Sequence, residues 1–341
     1  MQGRAAGNGG TAAQQARGQE LIFKACMRAG EHALSLEIFK GWPAIVLRQG
    51  DLALSLVPAV GGRLMGIRAG VHELCFVHPG LQGKTFSGDE RQWRDLCGDW
   101  AFPLWGGGKT WVAPESAWPR GSPHRDLDSL AWKLTASWCH ASAMGLSLES
   151  PICSDSGLQI IRRLDWPVGA REWSIAHTLR NAGTRTVRCG VWDVLMLRRP
   201  AIVRIPLPPT PSGSAPGVTS LPGKASVASL MEDGIIDGTA CSAHVHCHIA
   251  KEFKCGFQSE RGEIEVEFTD WNVRYARRSE VDATRAHAHA HPLEVFNAAQ
   301  LPYFEVETHS PLQTLAPGDF IHYVIHERVE FTQLLGPSAR P

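Results

Sequence analysis

The chain has 341 residues, of which 43% are hydrophobic, so it is long enough to bury a sizeable core. Lysine and arginine together number 34, and aspartate and glutamate together also number 34, which gives a formal net charge of zero. A neutral chain lacks the basic excess that attracts nucleic acid or an anionic membrane surface, so we expect neither partner. The sequence favours a small uncharged ligand.

The cysteine pattern and the N-terminal sequence indicate in which cellular compartment the protein is expected. The nine cysteines are irregularly spaced and include no CxxC pair, which predicts neither a disulfide scaffold nor a four-cysteine zinc site. The N-terminal sequence lacks the apolar core of a signal peptide, and no run of about 18 apolar residues predicts a membrane span. We expect a cytoplasmic protein without a cofactor.

In chain order, the sequence begins with residues that are poor in hydrophobic side chains. Residues 1–18 cannot offset their ordering entropy, so residues 1–30 are predicted to be a disordered tail. Short strand-like segments separated by turn residues follow, at 34–39, 44–48, 52–57, 158–164, 173–179, 186–195, 264–268, 303–308 and 320–326. Long helical periodicity is lacking, so we predict an all-β sandwich or barrel. Residues 31–335 are predicted to form one domain, with a Pro/Ser/Gly-rich loop insertion at 206–223.

Tryptophan is unusually frequent, with 12 residues against three tyrosines. Six of the tryptophans fall between Trp93 and Trp132. They either fill the core or stack on a flat apolar ligand face such as that of a sugar ring, and the sequence leaves both alternatives open.

Four segments stand out by their turn glycines and polar residues: 57–67, 106–119, 179–193 and 303–318. Their order resembles that of the galactose-mutarotase-like superfamily, whose members include aldose 1-epimerases, and is most similar to one of its uncharacterised branches. The resemblance extends over residues 37–330. It implies a β-supersandwich that binds a sugar on a concave face.

The strand at residues 303–309 carries the residues of greatest chemical interest. Side chains alternate along a strand, so Tyr303, Glu305, Glu307 and His309 share one face. This face is either an acid–base set or the solvated side of a half-buried strand. The resemblance implies that Glu307 is the catalytic base.

The family's catalytic histidine is missing from this sequence. Mutarotases carry it shortly after an N-x-G turn, where this chain has Trp192 and Asp193. The resemblance therefore predicts sugar binding with slow ring opening of simple aldoses, unless another acid substitutes. His309 is the best placed substitute, and His177 is a weaker one.

The glycine-rich loop at 106–118 has its own chemistry. Its three consecutive glycines are predicted to let the backbone approach a ligand, with Lys109 as a hydrogen-bond donor beside Trp111. Glu115 either accepts sugar hydroxyls or caps a turn, and Arg63 either pairs with a buried carboxylate or reaches the ligand. The predicted sugar-binding residues are Arg63, Lys109, Trp111, Glu115, Trp118, Trp192, Asp193 and Tyr303, and the predicted catalytic residues are Glu305, Glu307 and His309.

Two histidine runs have the His-x-His spacing of metal ligands, at residues 244–248 and 287–291. Neither comes with a closed coordination set, so no native metal site is predicted and adventitious nickel or zinc binding is expected. Two other functions remain open. One is a lyase or hydrolase that uses Glu305 or Glu307 with a distant histidine, and the other is a structural module without an active site.

Overall fold

The computed structural model describes residues 32–208, 217–221, 223–239 and 241–332. The predicted tail at residues 1–30 lies outside them, and so do residues 209–216 and 222 of the predicted loop insertion. The division into one domain with a tail and an insertion therefore stays a prediction.

The described residues form 22 β-strands and three short α-helices. The first strands are β1 (His32–Phe39), β2 (Trp42–Gln49), β3 (Leu52–Val57), β4 (Arg63–Ala69), β5 (His72–Glu73), β6 (Gly108–Ala113), β7 (Lys133–Cys139), β8 (Ala143–Glu149), β9 (Leu158–Pro167), β10 (Glu172–Asn181) and β11 (Val187–Arg198). The remaining strands are β12 (Ala201–Pro206), β13 (Val218–Ser220), β14 (Ile236–Thr239), β15 (Ser242–Cys247), β16 (Phe253–Phe257), β17 (Glu263–Phe268), β18 (Val273–Ser279), β19 (Leu293–Asn297), β20 (Tyr303–His309), β21 (Gln313–Leu315) and β22 (Phe320–Phe331). The helices are α1 (Glu90–Cys97), α2 (Arg125–Asp128) and α3 (Val227–Glu232), and 3-10 turns occupy Pro79–Leu81, Glu115–Ala117, Pro119–Gly121, Thr269–Trp271 and Ala288–Ala290.

The strands form two antiparallel sheets, which confirms the predicted all-β class. The first sheet has the order β1-β2-β3-β4-β6-β11-β20-β19-β16-β13, with β5 beside β4 and β21 beside β11. The second has the order β14-β15-β12-β17-β18-β22-β10-β9-β8-β7. Every strand-like segment predicted from the sequence overlaps a strand, and the segment at 52–57 coincides with β3. No helix in the described part of the chain has the length and apolar character needed to cross a bilayer.

The second sheet has one solvent-exposed face and one buried face. Along β10 and β17, buried residues alternate with more exposed ones, as expected when one side of an antiparallel sheet faces water. The buried set includes Ile175, Leu179, Ile264 and Val266. They join residues of the first sheet in one apolar core between the two sheets.

The middle of the first sheet is covered on both faces. All residues of β3, β6 and β20 are buried, so these strands show none of the alternation seen in the second sheet. One side packs on the core between the sheets, and connecting segments cover the other. Trp93 and Leu96 of α1, for example, pack with Trp42 and Trp105 on that outer side. Polar side chains on the covered side are therefore buried, and this burial defines the candidate site.

Candidate active site

Five neighbouring strands in the middle of the first sheet, β6, β11, β20, β19 and β16, share a polar and aromatic face. Trp192 of β11 lies directly opposite Trp111 of β6 and His309 of β20, and Glu294 of β19 lies opposite Glu307. Directly opposed residues point to the same side of a sheet. This surface, called the central face below, carries Lys109, Trp111, Trp192, Lys254, Glu294, Glu305, Glu307 and His309.

Glu307 is fully buried at the centre of this face. Its Oε2 accepts hydrogen bonds from Trp192 Nε1 at 2.7 Å and from Lys254 Nζ at 2.9 Å. Its Oε1 has no hydrogen-bonding partner among the described residues. Burial raises the pKa of Glu307 to about 7, against the opposing effect of Lys254 and with a further rise from Glu294. The carboxyl group can therefore exchange a proton near neutral pH.

Glu294 connects two histidines on the central face. His289 Nδ1 lies 2.9 Å from Glu294 Oε1, and His309 Nε2 lies 3.4 Å from Glu294 Oε2. Burial alone would lower the pKa of His289, but the hydrogen bond to Glu294 outweighs it and the pKa is raised. Burial lowers the pKa of His309 despite the nearby Glu294. His289 therefore holds a proton near neutral pH more readily than His309, the acid predicted from the sequence.

The donor atoms of His289, Glu294 and His309 lie within 4.8 Å of one another, so these residues could hold a metal ion. However, Lys254 Nζ already lies 2.9 Å from Glu294 Oε2. Burial disfavours the ammonium form of Lys254, but Glu307 and Glu294 outweigh it and raise the pKa of this lysine. A fixed positive charge against the carboxylate repels a second cation there. Lys254 is therefore favoured over a metal ion as the partner of the Glu294 carboxylate.

Three tryptophans form the apolar part of the central face. The ring of Trp192 lies 5.1 Å from that of Trp111 in an edge contact and stacks on Trp118 at 5.4 Å. The Lys109 ammonium lies 4.0 Å above the Trp111 ring and 2.9 Å from Glu305 Oε1. The face thus combines flat apolar surfaces with charged hydrogen-bonding groups.

Asp128, at the end of α2, holds this aromatic cluster in place. Its Oδ1 accepts hydrogen bonds from Trp111 Nε1 at 2.7 Å and from Arg63 Nη2 at 2.6 Å. Arg63 is buried, so of its two predicted roles the geometry favours the pairing with a buried carboxylate. Gly61 lies directly against Asp128, because a Cβ atom at Gly61 would lie 2.0 Å from the Asp128 carbonyl oxygen.

A strap at residues 287–291 closes the central face. The His289 ring meets Trp192 edge-on at 5.0 Å, and Ala288 packs in the same apolar cluster as the tryptophans. His289 and Ala290 have φ angles of 54° and 63°, in a region that residues other than glycine adopt infrequently. A cavity of about 370 Å³ beside the strap is lined in part by His287 and Ala290. The strap therefore has space next to it.

Asp193 lies on the opposite face of β11, toward the second sheet. It forms an ion pair with Arg277, and its Oδ2 lies 3.2 Å from His177 Nε2. Burial opposes its ionisation, but Arg277 and His177 hold the pKa of Asp193 well below its usual range. Successive residues of a strand face opposite sides, so Trp192 and Asp193 cannot line one pocket. Two predictions are therefore corrected, namely Asp193 as a sugar-binding residue and His177 as a substitute acid. Both residues belong to a buried ion network between the sheets, away from the central face.

The glycines of the predicted ligand loop approach the protein's own backbone. A Cβ atom at Gly106 would lie 2.2 Å from the Phe76 carbonyl oxygen, and one at Gly107 would lie 2.6 Å from the Leu64 carbonyl oxygen. Glycine is required here because a side chain would overlap the backbone of the neighbouring segments at Phe76 and Leu64. The predicted close approach of these glycines to a ligand is corrected accordingly.

Glu115 lies in the 3-10 turn Glu115–Ala117 and is exposed. The turn is closed by its backbone carbonyl oxygen, which accepts the Trp118 N–H at 2.9 Å. This bond does not involve the Glu115 side chain, so both predicted roles of that side chain stay open. Tyr303, at the start of β20, stacks on Phe76 at 4.9 Å and shares its side of the strand with Glu305. Tyr303 thus lies at the margin of the central face.

Four residues of the site were missed or misassigned from the sequence: Lys254, Glu294, His289 and Asp128. From the sequence, His289 was considered only as one member of the histidine run at residues 287–291, for which no native metal site was predicted. Lys254 and Glu294 lie on β16 and β19, which carry no motif of the resemblance. Only the strand order brings them beside Glu307.

Comparisons with known proteins agree on the fold. The sequence matches no protein-family model, and no curated protein matches it significantly. A putative aldose 1-epimerase from Klebsiella pneumoniae superposes with a TM-score of 0.61 at 11% identity, over 93% of this chain and 90% of the other. A galactose mutarotase-like protein from Clostridium acetobutylicum gives 0.54 at 11% identity, over 89% and 100%. A putative aldose 1-epimerase from Escherichia coli gives 0.51 at 13% identity, over 84% and 99%. The chain therefore has the galactose mutarotase-like fold, as the resemblance implied.

Proposed function

We propose that this protein binds a small uncharged sugar on the central face and interconverts its anomers, with Glu307 as the base and His289 as the acid. The observation that carries the proposal is the Glu307 carboxylate, which has one oxygen fixed by Trp192 and Lys254 and the other without a partner among the described residues. A base held in one orientation with a free oxygen is suited to take a proton from a bound hydroxyl group. The fold shared with putative aldose 1-epimerases supports a sugar as the substrate.

The chemistry needs two proton transfers in each direction. Glu307 Oε1 takes the proton of the anomeric hydroxyl while protonated His289 gives a proton to the ring oxygen. The bond between the anomeric carbon and the ring oxygen then breaks, which leaves an open-chain aldehyde. Reversal of both transfers closes the ring on either face. Glu294 supports this cycle because its hydrogen bond stabilises the protonated form of His289.

The charges on the central face indicate an uncharged substrate. Three carboxylates, of Glu294, Glu305 and Glu307, face the ammonium groups of Lys109 and Lys254 and the protonated ring of His289. The Lys109 ammonium lies 2.9 Å from a Glu305 oxygen, and the Lys254 ammonium lies 2.9 Å from an oxygen of Glu294 and from one of Glu307. No surplus positive charge remains on this face for a sugar acid or phosphate. The tryptophans offer instead the flat surfaces on which sugar rings stack.

Substrate access requires the strap to move, because Glu307, Glu294 and His309 have no exposed surface beneath it. The cavity beside His287 and Ala290 provides the space for this displacement. We also propose a cytoplasmic location. Buried free thiols such as those of Cys75, Cys189 and Cys247 suit a reducing compartment.

Polarimetry tests the proposal. We expect the wild-type protein to accelerate the anomerisation of an α-aldose such as glucose or galactose, and Glu307→Gln to lower the rate by about 10²–10⁴-fold, the usual contribution of a general base. Glu265→Gln, the same change on β17 of the second sheet, is the matched control and should keep the full rate. A sugar that raises the melting temperature without any acceleration would instead indicate a binding module. A rate unaffected by Glu307→Gln would refute the assignment of the base.

A further inference from the structure

A second group of metal-ligand side chains lies away from the central face. His124, just before α2, meets Cys153 and Asp155 of the connection between β8 and β9. One potential ligand atom from each of the three residues lies within 4.8 Å of the other two. Zinc is bound by just such thiolate, imidazole and carboxylate donors, at about 2.3 Å for sulfur and about 2.0–2.2 Å for nitrogen and oxygen.

The surroundings of the three side chains point to a ligand. His124 is 6% exposed and its Nδ1 is buried without a hydrogen-bonding partner among the described residues. An unpaired buried nitrogen is unfavourable, and a bound ion would satisfy it. Cys153 is 1% exposed, so its sulfur is buried in the same group as this nitrogen. Asp155 is exposed, so an ion can reach the group from solvent.

The two segments are already docked in the required arrangement. Asp126 Oδ2 accepts hydrogen bonds from the backbone N–H and the hydroxyl of Ser154, both at 2.7 Å. Gly157 N–H donates to the Cys153 carbonyl at 2.8 Å, which closes the turn that carries Asp155. Small side-chain movements alone would bring the donors to the roughly 3.3–3.7 Å separations of a tetrahedral zinc site.

We propose that His124, Cys153 and Asp155 form a zinc site with its fourth position open to water. The ion ties the start of α2 to the β8–β9 connection. The end of α2 is Asp128, which holds Trp111 and Arg63 beneath the central face. Through this connection the ion stabilises the support of the aromatic cluster from about one helical turn away. The site does not depend on the function proposed above.

Metal analysis of the full chain, produced without a histidine tag and dialysed against metal-free buffer, tests the proposal. We expect one zinc ion per chain, and at least a tenfold lower zinc content in Cys153→Ser and in Asp155→Asn. Because Asp155 is exposed, Asp155→Asn should leave folding intact even if Cys153→Ser does not. Cys241→Ser, at an exposed cysteine, and the double variant His244→Gln/His246→Gln, in the surface histidine run, are the controls and should retain zinc.

Cobalt substitution provides a second readout. A thiolate-to-cobalt charge-transfer band should appear in the wild-type protein and in Cys241→Ser and should be lost in Cys153→Ser. Absence of stoichiometric zinc and of this band would overturn the proposal. So would zinc retention in both Cys153→Ser and Asp155→Asn, or a loss of zinc that follows only His289→Gln, which would place the ion at the central face.

Discussion

Trp192 and Lys254 donate hydrogen bonds to the same oxygen of Glu307, and they do so from strands on opposite sides of β20. This arrangement fixes the carboxylate plane while its other oxygen stays available. It also places an aromatic ring and an ammonium group next to the proposed base. Substitutions at Glu307 and its neighbours should therefore have separable effects on rate, pH dependence and stability.

The pH dependence of anomerisation should follow a bell shape near neutrality. The base must be ionised, and the pKa of Glu307 is about 7, so the rate should fall as the pH drops through about 7. The acid must be protonated, and the pKa of His289 is raised, so the rate should fall again at higher pH. In His289→Gln the alkaline limb should disappear while the acid limb stays. An unchanged alkaline limb in this variant would assign the acid to another group.

Glu307 should lower the stability of the protein at alkaline pH. Between about pH 4.5 and 7 the folded protein keeps the Glu307 proton that the unfolded chain releases, so stability falls with rising pH across this window. The shift corresponds to about 3 kcal/mol of unfolding free energy. Because Gln cannot ionise, Glu307→Gln should be more stable relative to wild type at pH 8 than at pH 5 in urea titrations. Glu265→Gln, the same change on β17, is the matched control for the loss of a carboxylate.

Asp193→Asn should destabilise the fold without changing sugar affinity. It leaves the buried Arg277 guanidinium without its closest counter-charge, which typically costs about 3–5 kcal/mol. Asp165→Asn breaks an exposed pair with Arg163 and should cost about 1 kcal/mol or less. Chemical denaturation measures both losses, and calorimetric titration of the folded variants measures sugar binding. Weakened sugar binding by a well-folded Asp193→Asn variant would show that Asp193 contributes to the ligand site.

Gly61→Ala should be far more harmful than Gly50→Ala. The two glycines have nearly the same φ, 57° and 55°, so the backbone penalty for a side chain is shared. At Gly50 an added Cβ meets nothing within 4 Å, whereas at Gly61 it would overlap the Asp128 carbonyl. The overlap should cost about 1–3 kcal/mol beyond the control and should also shift the fluorescence of Trp111. Equal melting temperatures for the two variants would contradict this packing.

The local structure of the acid-bearing strand could be predicted from the sequence. Alternation in residues 303–309 correctly put Tyr303, Glu305, Glu307 and His309 on one face. The same rule, applied to Trp192 and Asp193, separates them, yet the motif resemblance grouped them together. A motif match does not show to which face of the strand each of its residues points, and the side chains of Trp192 and Asp193 point to opposite faces.

The partners of Glu307 could not be predicted because they depend on strand order. Lys254 lies 53 residues before Glu307 in the sequence, and no local pattern marks it as a neighbour. The same limit applies to His124 and Cys153, whose spacing matches no metal-binding motif. Contacts between distant segments require the pairing of strands and the course of the connections, which neither composition nor periodicity contains.

The strap at residues 287–291 has a consequence for kinetics. A site whose base is buried until a segment opens cannot bind ligand faster than that segment moves. The observed association rate should therefore level off at high sugar concentration and approach the opening rate, and release should be limited by the same motion. His289 forms part of the strap, so each opening also withdraws the proposed acid and halts proton transfer. Under the proposed function, turnover and ligand exchange are thus expected to alternate as phases of one cycle.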